Sequence, residues 1–98
     1  MLNFMAEEPI SVDCKVTGQK FDFDYDTENT LHAFISDLQA EQPAMGFEVM
    51  KAMKSGSNDG IFVDGNAYPF CDNHGSTLAS LGVTTNSVII VSNDVTQA

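Results

Sequence analysis

The sequence predicts an α+β domain built on one mixed sheet, and three observations carry this. Residues 10–16 and 20–26 alternate apolar and polar side chains, the period of strands with one buried face. Residues 30–42 instead carry an apolar stripe at helical spacing. Val88-Ile89-Ile90-Val91 is an unbroken β-branched run without charge, the composition of a strand with little solvent exposure. Two strands before a helix and further strands after it indicate α+β rather than alternating α/β.

Taken in order, residues 1–9 begin apolar and turn acidic at Glu7 and Glu8 before Pro9. They read as a tail ahead of a domain over 10–92, with a second tail over 93–98. In the first strand Ile10, Val12, Cys14 and Val16 share one face, and Ser11, Asp13 and Lys15 the other. Thr17-Gly18-Gln19 makes the turn of a β-hairpin. In the second strand Phe21, Phe23 and Tyr25 face inward and Asp22, Asp24 and Asp26 outward.

Leu31, Phe34, Ile35 and Leu38 then fall at i, i+3, i+4 and i+7 on one face of a helix. Thr30 is its expected N-cap, with Thr27 the alternative, and Pro43 stops it. Residues 47–53 suit a strand or a short second helix. The strand is preferred, paired through the Ser55-Gly56-Ser57-Asn58-Asp59-Gly60 loop with residues 61–63. Asp64-Gly65-Asn66 reads as a tight turn and residues 67–70 as another short strand.

Leu78 and Leu81 lie on one side of a single helical turn, which Gly82 ends. Thr85, Asn86 and Ser87 are turn formers leading into the last strand. A charge-free strand is poorly suited to a sheet edge. It is therefore expected at the centre, parallel to residues 10–16.

A chain of 98 residues suffices for one domain with a modest core. With 43% hydrophobic and 18% charged residues it is expected to fold. No apolar run reaches the roughly 18 residues of a membrane span, and the start lacks the pattern of a signal peptide. A cytoplasmic or nuclear location is expected. The 14 acidic residues against 4 basic ones leave a net charge of −10, which repels nucleic acid and anionic membrane alike. That charge serves solubility, or it favours a basic protein partner.

Catalytic groups are sparse. His32 is expected as an exposed helix residue and Cys14 as a small core residue. Cys71 and His74 are close in sequence, yet a zinc site needs about four ligands and no second pair is evident. A Cys14–Cys71 disulfide is disfavoured in a reducing compartment. Asp22, Asp24 and Asp26 read as a solvated row that guards an edge strand, since acid–base work needs a cleft. No Ser-His-Asp set, phosphate loop or dinucleotide motif occurs. No enzyme activity, cofactor or metal is expected.

Three stretches resemble ubiquitin-like domains. Val16-Thr17-Gly18-Gln19-Lys20-Phe21-Asp22-Phe23-Asp24-Tyr25 is similar to their opening hairpin, including the Thr-Gly pair. The spacing of Thr30, Leu31, Phe34 and Leu38 resembles their helix. Gly75-Ser76-Thr77-Leu78-Ala79-Ser80-Leu81-Gly82-Val83, followed by the run from Asn86 to Val91, resembles their closing turn and last strand. The resemblance covers residues 10–92 and implies the β-grasp fold: a mixed four- to five-stranded sheet crossed by one main helix. The family usually has a shorter link between helix and third strand; here either that link is long or residues 47–53 are themselves the third strand, a departure from the family pattern.

Modifiers and sulfur carriers of this kind end in Gly-Gly, whereas this chain ends Asp94-Val95-Thr96-Gln97-Ala98. The resemblance therefore points to a non-conjugating interaction module, monomeric when free. The alternatives are a small accessory subunit of a larger enzyme or secretion complex, or a modifier or carrier whose Gly-Gly lies beyond this sequence. Ubiquitin-like domains commonly bind through an apolar patch on the outer sheet face. Carried over by motif, that patch comprises Val16 and Val91, with Ile61 as the third member if residues 61–63 are the third strand, joined by Ile89 if Val88 and Ile90 point inward. Its alternative is a face covered by a loop or the N-terminal tail.

Overall fold

The two alternating runs pair as a hairpin, as their common period requires. In the computed structural model, which describes residues 7–14 and 17–96, β1 (Glu7–Cys14) runs antiparallel to β2 (Gln19–Asp26). Ile10 lies opposite Phe23 and Val12 opposite Phe21. Directly paired residues share a face, so these side chains project together toward the core. β1 begins at Glu7, so residues 7–9 belong to the sheet and not to a tail. Residues 1–6, Lys15 and Val16 lie outside the described residues, as does the side chain expected in the core at Cys14.

Helix α1 (Leu31–Glu41) follows, and its buried residues are the expected stripe Leu31, Phe34, Ile35 and Leu38. Thr30 is the N-cap: its Oγ1 accepts from the Ala33 N–H at 3.1 Å. Thr27 is instead buried, and its carbonyl accepts from the Ala79 N–H. Pro43 cannot continue the ladder and opens a 3₁₀ turn, Pro43–Met45.

The Phe34 ring packs against Phe23 and Tyr25, with centroids 5.9 and 5.2 Å away. The Tyr25 hydroxyl donates to the Asp37 carboxylate, joining sheet to helix. Burial, then that hydrogen bond and the Asp37 charge, hold the Tyr25 pKa well above the usual phenol value. The fold thus retains a proton that the unfolded chain releases near pH ~10. This contribution to stability is complete below that pH and is lost as pH rises toward the folded-state value. Denaturant midpoints between about pH 8 and 11 should fall in the native chain. They should fall less in Tyr25→Phe; equal slopes would remove Tyr25 as the cause.

Residues 47–53 are not a strand. They contain α2 (Val49–Ala52), with Phe47 and Ala52 buried and Met50 82% exposed. The reason lies in Lys51: a strand with Phe47 and Val49 inward would also turn Lys51 inward, an uncompensated burial of charge. A helical turn buries Ala52 and leaves Lys51 in water. The long link is therefore occupied by a 3₁₀ turn, a short helix and a loop.

The third strand is β3 (Gly60–Val63), paired antiparallel with β4 (Asn66–Pro69). Asp64 and Gly65 form the two-residue turn, at φ 48° and 92°, as hairpins of this length require. At Gly60 a Cβ would lie 2.3 Å from the Tyr68 carbonyl oxygen, a backbone atom that cannot move alone. Gly60→Ala should cost about 1–3 kcal/mol by overpacking. Gly75→Ala, with nothing within 4 Å, is the neutral control. Similar denaturation midpoints for the two variants would mean that β4 does not lie this close.

After α3 (Phe70–Asn73) the chain makes the 3₁₀ turn Ala79–Leu81, ended by Gly82 in the left-handed region at φ 91°. β5 (Val88–Ser92) then enters the middle of the sheet, whose order is β2-β1-β5-β3-β4. It is parallel to β1 and antiparallel to β3, the central placement its lack of charge predicts. Val95 is buried and its N–H donates to the Asn58 carbonyl at 2.8 Å, so the fold extends into the expected C-terminal tail. Among the described residues, no helix is long and apolar enough to cross a membrane.

Candidate functional site

The outer face of the sheet is defined by the phase of β5. Ile89 pairs with Val12 on β1 and with Val63 on β3. Val91 pairs with Ile61 on β3, and its partner on β1 is Cys14. Val12, Val63 and Ile61 belong to the core under α1, so Ile89 and Val91 must project there too. Ile61, Ile89 and Val91 are each 0% exposed. They are core residues, which corrects the patch expected from the motif. The fourth member, Val16, lies outside the described residues. A strand has period two, so an assignment one residue out of phase transfers every side chain to the wrong face.

The residues facing outward on β5 are Val88 and Ile90. Val88 is 45% exposed and Ile90 is half-buried. Register builds the rest of this face row by row. Val88 lies beside Ser11 on β1, and Ser11 lies beside Asp22 on β2. Ile90 lies between Asp13 on β1 and Phe62 on β3, with Lys20 beyond Asp13 and Ala67 beyond Phe62. Phe62 is only 5% exposed, so accessible apolar surface comes from Val88, Ile90 and Ala67.

Asp64 fixes the start of this strip. Its carboxylate accepts from the Val88 N–H at 2.9 Å and from the Ser87 hydroxyl at 3.0 Å. Ser87 Oγ in turn accepts from the Thr84 N–H at 2.8 Å. The β3–β4 turn thereby holds the entry of β5 and orients Val88 outward.

Among the described residues, charge on this face is one-sided. On the β1–β2 side, Asp13, Asp22 and Asp24 project with Lys20, whose ammonium lies 3.8 Å from the Asp13 carboxylate. Ser11 Oγ donates to Asp22 at 3.3 Å. Between them and Val88 runs a shallow groove of about 360 Å³. On the β3–β4 side, Phe62, Ala67 and Pro69 carry no charge.

Elsewhere the chemistry is structural. His32 is half-buried instead of exposed: its ring and that of His74 each pack 6.1 Å from Phe70. Its N–H donates to the His74 carbonyl at 2.9 Å. The segment 70–74 covers this helix face, a tertiary contact that helical spacing does not register. Cys71 is half-buried with its thiol 3.7 Å from the Ser57 carbonyl. Asp22 and Asp24 are exposed, while Asp26 accepts from the Glu28 N–H. Among the described residues, no three His, Cys, Asp or Glu side chains converge to hold a metal ion.

Val88, Ile90 and Asp64 were not identifiable as site residues from sequence. Four β-branched residues in succession contain no phase. The phase resides in the neighbours, since Val12 and Val63 must both be inward for one core to form.

No protein-family model and no curated protein matches the sequence. Among solved structures, the chain is similar to the ubiquitin-like domain of yeast Ddi1, at TM-score 0.62 and 16% identity, over 93% of this chain and 92% of that one. It is also similar to a ubiquitin-like protein from Trypanosoma brucei, at TM-score 0.62 and 20% identity, over 89% and 94% of the two chains.

Proposed function

We propose that this chain, whose fold is the ubiquitin-like β-grasp, is a non-covalent interaction module that holds a protein partner on the outer face of its sheet. The observation that carries the proposal is the outward projection of Val88 and Ile90 from the central strand. Solvation alone would favour polar side chains there, as on β2. The groove beside Val88 is shallow and open, so the surface suits docking rather than chemistry.

Magnitude limits what the pair can do. Fully burying a Val or Ile side chain contributes roughly 1.5–3 kcal/mol, and both residues are already partly buried. Association costs at least about 4 kcal/mol in lost freedom. Val88 and Ile90 are therefore a centre that needs contributions from its surroundings, and the complex is of modest affinity.

The test places a photo-crosslinking residue at position 90 and, separately, at Ser36 on the exposed side of α1. In extract of the source cells, a discrete adduct from position 90 and none from position 36 is expected. Adducts from position 36 alone would move the site to the helix. Partner linked to the unmodified chain by a bond that survives denaturation would contradict non-covalent action.

A further inference from the structure

We infer that the partner is a polypeptide with an apolar ridge seated on Val88, Ile90 and Ala67 and a cationic flank on one side only, lying over Asp13, Asp22 and Asp24. This rests on the outer-face reading above and adds to it the partner's charge and orientation. Adjacent strands are about 4.8 Å apart, which places β2 about 10 Å from β5. A helix about 10–12 Å across with its side chains, laid along β5, therefore reaches about 5–6 Å to one side, so that this flank lies over β1 with its edge turned toward β2.

Among the described residues, that flank meets the carboxylates of Asp13, Asp22 and Asp24 and the ammonium of Lys20, which already lies beside Asp13. The opposite flank meets Ala67 and Pro69, where a partner charge would lose water and gain no counter-charge. Asp64 does not balance the two sides. It sits at the start of β5, and its carboxylate already accepts from Val88 and Ser87. Arg or Lys on the β1–β2 flank alone is the arrangement that leaves neither face with an uncompensated charge. Exposed pairs of this kind are screened over about 8 Å at physiological salt, so the preference must weaken as salt rises.

The test uses synthetic helical peptides sharing one leucine stripe, with one flank made of Arg, Glu or Gln, and a fourth with Arg on both flanks. Each is titrated into the full ¹⁵N-labelled chain. The one-flank Arg peptide is expected to shift the amides of Val88, Ile90 and Ala67. It should bind about tenfold more tightly than the Glu peptide, an advantage that shrinks in high salt. Asp22→Asn with Asp24→Asn should remove most of that advantage without changing which amides move. Arg on the second flank should add nothing.

Equal affinity of the Arg, Glu and Gln peptides for the outer face would overturn the inferred charge and leave outer-face docking standing. So would a second Arg flank that tightens binding as much as the first. Shifts that avoid Val88 and Ile90, shifts unaffected by Ile90→Asp, or no binding by any peptide would overturn the docking face itself.

Discussion

Ile89→Asp is expected to unfold the domain, while its neighbour Ile90→Asp is expected to leave it folded. Ile89 is fully buried between Val12 and Val63 beneath α1. A carboxylate there loses the transfer energy of the isoleucine and gains no partner, a cost of at least about 4 kcal/mol. That approaches the whole stability of a small domain, roughly 5–15 kcal/mol. Ile90 is half-exposed, so aspartate there keeps its water. It should lose about 1–2 kcal/mol, from poor strand propensity and the like charge of Asp13 alongside. Circular dichroism with denaturant titration separates the two. Comparable losses, or a greater loss at position 90, would reverse the phase of β5.

Phe34→Ala should cost about 3–5 kcal/mol, the range for emptying a phenylalanine site in a core. Phe34 is fully buried at the middle of the helix stripe. The cavity would also deprive Phe23 and Tyr25 of a ring contact, and such pairs contribute about 0.5–1.5 kcal/mol beyond area. The loss acts on the helix–sheet contact that closes the core, so unfolding should remain a single transition at a lower denaturant midpoint. A loss below about 0.5 kcal/mol, the scale of ordinary surface changes, would place the helix on the sheet by a different face.

The fold was legible where one side of an element is wet. Alternation in residues 10–16 and 20–26 exists because β1 and β2 have an outer face in water, and Asp22 and Asp24 mark it. The spacing of Leu31, Phe34, Ile35 and Leu38 marks the dry side of α1 in the same way. The lack of charge in the last strand revealed its central position but concealed its phase, because all four residues are apolar. Motif matching supplied a phase, and it was one residue out. Residues 47–53 failed for the opposite reason. Seven residues satisfy strand and helix patterns equally, and only the position of Lys51 relative to the core separates them.

The proposed docking face depended on that hidden phase, so it was legible as a surface and not as residues. Asp64 gave a turn signal through Asp-Gly, yet its contacts with Ser87 and Val88 join positions more than twenty apart in sequence. No local pattern reports such a contact.

The measurement that most directly tests whether Val88 and Ile90 are the working surface is methyl NMR with a neutral, water-soluble paramagnetic chelate. The expected result is strong broadening of the Val88 and Ile90 methyls, while those of Ile61, Ile89 and Val91 stay sharp. Protection of the Val88 and Ile90 methyls, or broadening of Ile89 and Val91 in their place, would contradict it.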